Sequence, residues 1–239
     1  MEKITYPIRI NRYLYLKGYC SRRQADQFIE RGLVKINGEK AWKGQKVLEK
    51  DKVEVGKEIK NLKKTFEYYI FNKPVGIVSH NPQGNEKEVT DVFKTPEKIF
   101  PVGRLDKDSE GLMFLTSDRR IINKIIDPEF EHEKEYEVVV DKDLKESVAK
   151  KMSNGVRIER YTTKPAKVRL MGKRKLNMIL IEGKKHQIRR MCAALGYQVK
   201  KLKRTRIMDL KLVGLPVGKG RKLDFKERKN LLDNLGMFN

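Results

Sequence analysis

Cysteine is nearly absent from this chain: Cys20 and Cys192 stand far apart, with no CxxC spacing. Neither a disulfide framework nor a thiolate metal site is expected, and a reducing cytoplasm is the fitting compartment. Long apolar runs are missing too. None approaches the roughly 20 residues needed to span a bilayer, and the opening MEKITYPIRI lacks the continuous apolar stretch of a secretory signal, so a soluble chain is expected. There is no glycine-rich phosphate loop and no dinucleotide fingerprint, and His80, His132 and His186 share no ligand spacing. These absences disfavour phosphoryl transfer, nicotinamide redox chemistry and metal-assisted hydrolysis. Internal repeats and low-complexity segments are lacking as well.

Acidic residues are scarce in one place. Residues 157–206 hold two, against seventeen Lys and Arg, within a chain of net charge +23. Residues 1–65 carry seventeen cations and eight acids, whereas residues 66–156 carry fourteen and eighteen. Two basic blocks thus flank a mildly acidic middle. A solubilising surface usually mixes both signs, so this distribution points to a polyanionic partner, nucleic acid above all. The basic blocks contain no long amphipathic helix with bulky apolar anchors, which disfavours a membrane surface.

At 239 residues the chain has room for a small domain and a medium one. RINRYLYLKG puts Ile10, Tyr13 and Leu14 at helical spacing before Gly18, a helix-ending residue. A second helix opens at Ser21, with Gln24 completing a capping box and Ala25, Phe28 and Ile29 forming one face. LVKINGEKA then alternates around Asn37-Gly38, a strong hairpin signal. This helix-turn-helix with a hairpin, over roughly residues 8 to 60, resembles the S4 RNA-binding domain. Arg22 and Arg23 fall in the first turn of the second helix, where cations oppose the macrodipole, so an RNA phosphate is their expected partner. The lone Trp42 is expected to pack rather than to stack on a base.

EIKNLKKT reads as a polar linker, which sets the boundary near residue 64: a first domain of 1–64 and a second of 65–239. In the second, strands are expected at EYYIFN, LMFLT, KEYEVVV, PAKVRLM, LNMILIE and QVKKLKRTRI. Helices are expected near 118–126, 143–153, 186–195 and in FKERKNLLDNL. The order is not a regular β-α-β alternation, so the fold class is α+β around a largely antiparallel mixed sheet flanked by helices.

The segment FPVGRLDKDSEGLMFLTSD, residues 100–118, carries the candidate chemistry. Arg104 and Lys107 flank Asp106, and cationic neighbours favour an ionised carboxylate, suited to a nucleophile or a base. An Asp106–Asp108 pair working across a sugar is a poor match, because such carboxylates sit about 5 to 9 Å apart and come from separate elements. Residue pattern alone leaves Asp106 evenly balanced between a reactive group and a solvated turn.

GRLDKDSEGLMFLTSD resembles the signature of the pseudouridine synthases, in the branch of the bacterial ribosomal enzymes RsuA, RluB, RluE and RluF. NKPVGIVS at 72–79, KEYEVVV at 134–140 and KKHQIRRM at 184–191 match in order, and KKLKRTRIMDLKLVGLPVG looks closest to the RluF members. The resemblance implies conversion of uridine to pseudouridine in RNA without a cofactor. It implies that Asp106 is the essential carboxylate, Arg189 its cationic partner, Tyr136 the active-site tyrosine and Ile188 an apolar contact to the base. Arg104, beside Asp106, suits filling the stack that a flipped uridine vacates, or holding a neighbouring phosphate. Lys164, Lys167, Arg169 and the cluster that includes Lys203, Arg204 and Arg206 are expected to meet phosphate.

The expected partner is structured RNA, a large-subunit ribosomal stem-loop with tRNA as a second candidate, bound by a monomer. Two rivals remain: a non-catalytic RNA-binding or ribosome-assembly factor, and a ribosyl hydrolase that releases free uracil.

Overall fold

The computed structural model describes residues 5–61 and 66–237. By its internal contacts the chain divides into two units, one of residues 5–61, 66 and 233–237 and the other Glu67–Leu232. The boundary expected near residue 64 lies outside the described residues. The second domain was expected to run unbroken to residue 239, whereas the segment after Leu232 groups with the first unit.

The first unit runs β1 (Ile8–Arg9), α1 (Ile10–Leu16), α2 (Arg22–Glu30), β2 (Val34–Ile36), β3 (Glu39–Lys40), β4 (Lys46–Val47), β5 (Val53–Val55) and α3 (Lys57–Asn61). The capping box forms: Gln24 N–H donates to Ser21 Oγ at 3.3 Å, and Ser21 N–H to Gln24 Oε1 at 3.0 Å. Asn37 and Gly38 take φ of 54° and 87°, the paired positive values of a type I′ turn, and join β2 to β3 with Ile36 opposite Glu39. Ile10, Leu14, Ala25, Phe28 and Ile29 pack with Val34 and Ile36 into one core.

Two expectations fail in this unit. The first four residues of the supposed linker, 58–61, fall in the helix Lys57–Asn61, because Ile59 joins the core and Glu58 takes a bidentate grip from Arg31 at 3.0 and 2.9 Å. Trp42 does not pack. It is 63 % exposed, since its neighbour Ala41 takes the buried position.

The second unit runs β6 (Tyr68–Lys73), α4 (Val89–Val92), β7 (Phe100–Pro101), β8 (Glu110–Thr116), α5 (Ile122–Ile126), β9 (Lys134–Val140), α6 (Glu146–Ser153), β10 (Arg157–Ile158), β11 (Tyr161–Thr162), β12 (Lys167–Gly172), β13 (Lys175–Leu180), α7 (Gln187–Ala194), β14 (Val199–Ile207), β15 (Leu210–Lys211), β16 (Gly220–Lys222) and all but the last two residues of α8 (Phe225–Asn234). Its main sheet, among the described residues, has the order β12-β13-β9-β14-β8-β6-β16, with β15 on β14 and β7 on β8. The β14–β8 pair is parallel and the rest antiparallel, so the sheet is mixed and the fold α+β.

Alternation explains which side chains reach the core. In β9, Tyr136, Val138 and Val140 face inward, while Glu135 and Glu137 face the other way. Ile188, Met191 and Cys192 of α7 pack on this core. Burial raises the Cys192 thiol to about 12, so it behaves as a small apolar group. β6 is buried on both faces, as a central strand of an apolar run should be.

Candidate active site

The GRLDKD loop leaves β7 and enters β8, and the NKPVGIVS segment fastens it. Gly103 makes the turn at φ 74°. Buried Ser79 holds Leu105 from both sides: its Oγ donates to Leu105 O at 2.7 Å and accepts Leu105 N–H at 2.8 Å. Gly76 N–H donates to Lys107 O at 2.8 Å. Lys73 Nζ, on a side chain with 0 % exposure, donates to Ile77 O at 2.7 Å, Pro74 O at 2.9 Å and Lys107 O at 3.4 Å. The backbone on either side of Asp106 is therefore fixed by buried donors and acceptors.

Burial lowers the Lys73 ammonium to about 8, against the opposing pull of Asp106, Asp108 and Glu110 and with a further push from Arg204. The sequence offered one clue to Lys73, a lysine closing the strand that begins with the apolar run YYIF. Ser79 offered none beyond its place in the matched segment.

Asp106 opens into a cavity of ≈ 360 Å³ that also receives Arg104, Tyr136, Ile188, Leu202 and His186. Asp106 is half-buried, Arg104 is exposed, and Tyr136 and Ile188 are buried. Four residues predicted from three separate segments thus share one cavity. The 182–187 loop also lines the cavity. Buried Glu182 accepts from Tyr161 Oη, from Lys164 N–H at 3.0 Å and from the Gln187 side-chain amide, and Gln187 Oε1 accepts Lys184 N–H at 2.9 Å. His186 ends that loop in the left-handed region, φ 52° and ψ 28°, as the N-cap of α7. Its Nε2 lies 3.5 Å from Asp106 Oδ1. Sequence reasoning had noted His186 only for its lack of metal-ligand spacing.

The expected Arg189–Asp106 ion pair does not form here. Arg189 instead donates to Asp108 O at 2.8 Å and Val199 O at 3.3 Å, with Ser109 Oγ at 3.5 Å. Backbone carbonyls satisfy the guanidinium, so it ties α7 and β14 to the loop two residues beyond Asp106.

Several cations expected to face RNA phosphate are otherwise engaged. Arg204 is 3 % exposed and donates to Leu112 O at 2.7 Å, Arg104 O at 3.2 Å and Met113 Sδ at 3.1 Å. A buried guanidinium cannot reach phosphate. The alternation of KKLKRTRI was a usable signal, since it puts Arg204 on the same face as buried Leu202. Arg206 is gripped by Glu135 at 2.7 Å and Glu133 at 2.9 Å. Lys164 and Lys167 pair with Glu131 and Glu133 at 2.7 Å each. Lys203 is half-buried on β14, while Arg22 and Arg23 stand exposed in the first turn of α2.

Among the described residues no helix is long and apolar enough to cross a membrane.

Comparison with known proteins agrees with this geometry. Residues 67–194 match the model of the RNA pseudouridylate synthase family, and residues 8–58 match the S4 domain. The chain is 43 % identical over 218 residues to the dual-specificity RNA pseudouridine synthase RluF of Escherichia coli (strain K12), covering 90 % of this chain and 75 % of that one. It is 36 % identical over 232 residues to the ribosomal large subunit pseudouridine synthase B of Bacillus subtilis (strain 168), covering 93 % and 95 %. A crystal structure of a pseudouridylate synthase superposes with a TM-score of 0.68 at 30 % identity, covering 94 % of this chain and 99 % of that one. With the matched family model spanning the cavity and its loop, and an S4 domain preceding it, the chain belongs to the RNA pseudouridylate synthases, enzymes that isomerise uridine within RNA.

Proposed function

We propose that this enzyme acts on a uridine of structured large-subunit ribosomal RNA and that Asp106 is its essential carboxylate. The single observation that carries the assignment of Asp106 is its setting: a carboxylate on a loop fastened from beneath, opening into a cavity shared with Tyr136 and Ile188. That cavity falls within the roughly 300–1,000 Å³ of small-ligand pockets, room for a nucleotide taken out of its stack. Ribosomal RNA as substrate is supported by the name of the Bacillus subtilis relative.

In the reaction the N1–C1′ bond breaks, the uracil turns, and C5 bonds to the same C1′; C5 gives up its proton and N1 takes one. Atoms balance without an external reactant. Asp106 acts on the ribose, as nucleophile at C1′ or as base. Tyr136 offers a ring face to the uracil and a hydroxyl suited to the C5 proton. Ile188 packs on the base, and exposed Arg104 at the rim takes the place the flipped uridine leaves in the RNA. The buried Lys73 ammonium is a cation near Asp106 that keeps its charge tolerable as RNA covers the site, and the His186 ring lies 3.5 Å from the carboxylate.

Asp106→Asn keeps the shape and removes the charge. Pseudouridine formation in a ribosomal stem-loop is expected to vanish while RNA binding persists; turnover equal to wild type would reject the assignment. Release of free uracil would instead indicate a ribosyl hydrolase. Mapping pseudouridines in ribosomal RNA and tRNA from cells with and without the protein tests the substrate, and loss confined to tRNA would overturn the ribosomal one.

A further inference from the structure

Two buried cations lie under the catalytic loop, one at each side of Asp106. Lys73 reaches the carbonyl of Lys107, and Arg204 reaches the carbonyl of Arg104. They come from different strands, β6 and β14. Lys73 belongs to a segment already matched by sequence, but Arg204 was expected to meet RNA phosphate, which its burial forbids.

Arg204, like Lys73, lacks an acidic partner. Among the described residues no carboxylate lies within ion-pair distance of its guanidinium; its acceptors are two backbone carbonyls and the Met113 sulfur. An unneutralised buried charge is costly to keep, and the low-dielectric surroundings leave its field less screened than a surface arginine's. The backbone is specialised to bring it there. β14 runs parallel to β8 with Arg204 opposite Gly111, whose φ is 114°. A Cβ at Gly111 would stand 2.3 Å from Arg204 O, so only glycine admits this approach. Leu112 and Met113, the next residues of β8, then supply two of the three acceptors.

We infer that Arg204 is a positioning residue: its guanidinium fixes the carbonyl of Arg104, and with it the entry to the Asp106 turn, while lending uncompensated positive charge to the site where the carboxylate works. This inference rests on the proposed role of Asp106. Arg204 touches neither RNA nor the reacting atoms, so its loss should lower turnover without weakening substrate binding.

The test compares Arg204→Met, which keeps length without charge, and Arg204→Lys, which keeps charge without the fork. Each is measured in the full chain on a stem-loop substrate beside wild type and Asp106→Asn, with thermal melting to establish folding. For Arg204→Met, kcat is expected to fall about 10²-fold, with KM and RNA affinity within about threefold of wild type. Arg204→Lys should recover part of kcat at the same KM. Wild-type kcat in Arg204→Met, or a raised KM with kcat unchanged, overturns the inference. If Arg204→Met does not fold, Arg204→Lys decides: reduced kcat at unchanged KM supports the role, and wild-type kcat overturns it. Should Asp106→Asn turn over like wild type, the catalytic reading itself falls, whereas an inert Asp106→Asn beside a fully active Arg204→Met rejects only the part given to Arg204.

Discussion

Lys73 closes β6 with its ammonium wholly buried and no carboxylate within ion-pair distance among the described residues; three backbone carbonyls accept its hydrogen bonds. Burial brings its folded-state value from the ordinary 10.5 to about 8. Below pH 8 the ammonium is protonated in both folded and unfolded chains, and the folded state bears the full cost of burying it. Between pH 8 and 10.5 the unfolded chain binds more protons at this site, so stability from Lys73 rises with pH, and above 10.5 the gain is complete. Wild type should therefore become more stable relative to Lys73→Met as pH rises through that window, by at most about tenfold in the folding constant per pH unit. Comparing the two chains cancels groups they share, such as the Cys192 thiol. Urea midpoints taken at pH 7, 8, 9 and 10 read the difference; a constant gap between the two chains would show that Lys73 does not titrate there.

At the scale of elements, the parallel β8–β14 pair sets the site, because it delivers Arg204 beneath the loop and carries Leu202 to the cavity. Gly111→Ala places a methyl against backbone rather than against a side chain that can swing away, and does so at a positive φ. A loss of about 3 kcal/mol or more is expected in urea unfolding, and a loss under about 1 kcal/mol would mean the two strands separate easily. This pairing was not legible in the sequence. Period and punctuation announced β6, β9, α7, the Ser21 capping box and the Asn37-Gly38 hairpin, since each is decided within a few residues. Which strands lie side by side depends on interactions between distant segments, so the alternation of KKLKRTRI could have turned Arg204 inward beside Leu202 but could not say what it meets there. The same reason hid the partner of Arg189. Its place on a helix face was legible, but the Asp108 and Val199 carbonyls that hold it come from two other elements.

Over the whole molecule, the +23 charge is less available to RNA than its sum implies. Folding brings the acidic middle against the second basic block: Glu131 meets Lys164, Glu133 meets Lys167 and Arg206, Glu137 meets Lys175, and Asp143 meets Arg174. The Glu131–Lys164 pair spans 33 residues of sequence and Glu133–Arg206 spans 73, so charge counts along the chain could not reveal them. The exposed pairs contribute little to stability individually, yet each cation so engaged must leave a carboxylate before it can neutralise phosphate. Arg22 and Arg23 have no ion-pair partner among the described residues and stand exposed. Replacing both with alanine should weaken RNA binding and flatten the dependence of log affinity on log salt by up to about 2, close to one for each phosphate no longer neutralised. Arg206→Met should leave that slope unchanged while lowering stability, because it leaves Glu135 without a cation and Glu133 with Lys167 alone. Binding to a structured ribosomal fragment, titrated from about 50 to 200 mM salt, separates the two sets. A slope that falls for Arg206→Met and holds for the Arg22, Arg23 double variant would mean that RNA opens the acidic–basic pairs of the second unit and bypasses the first turn of α2.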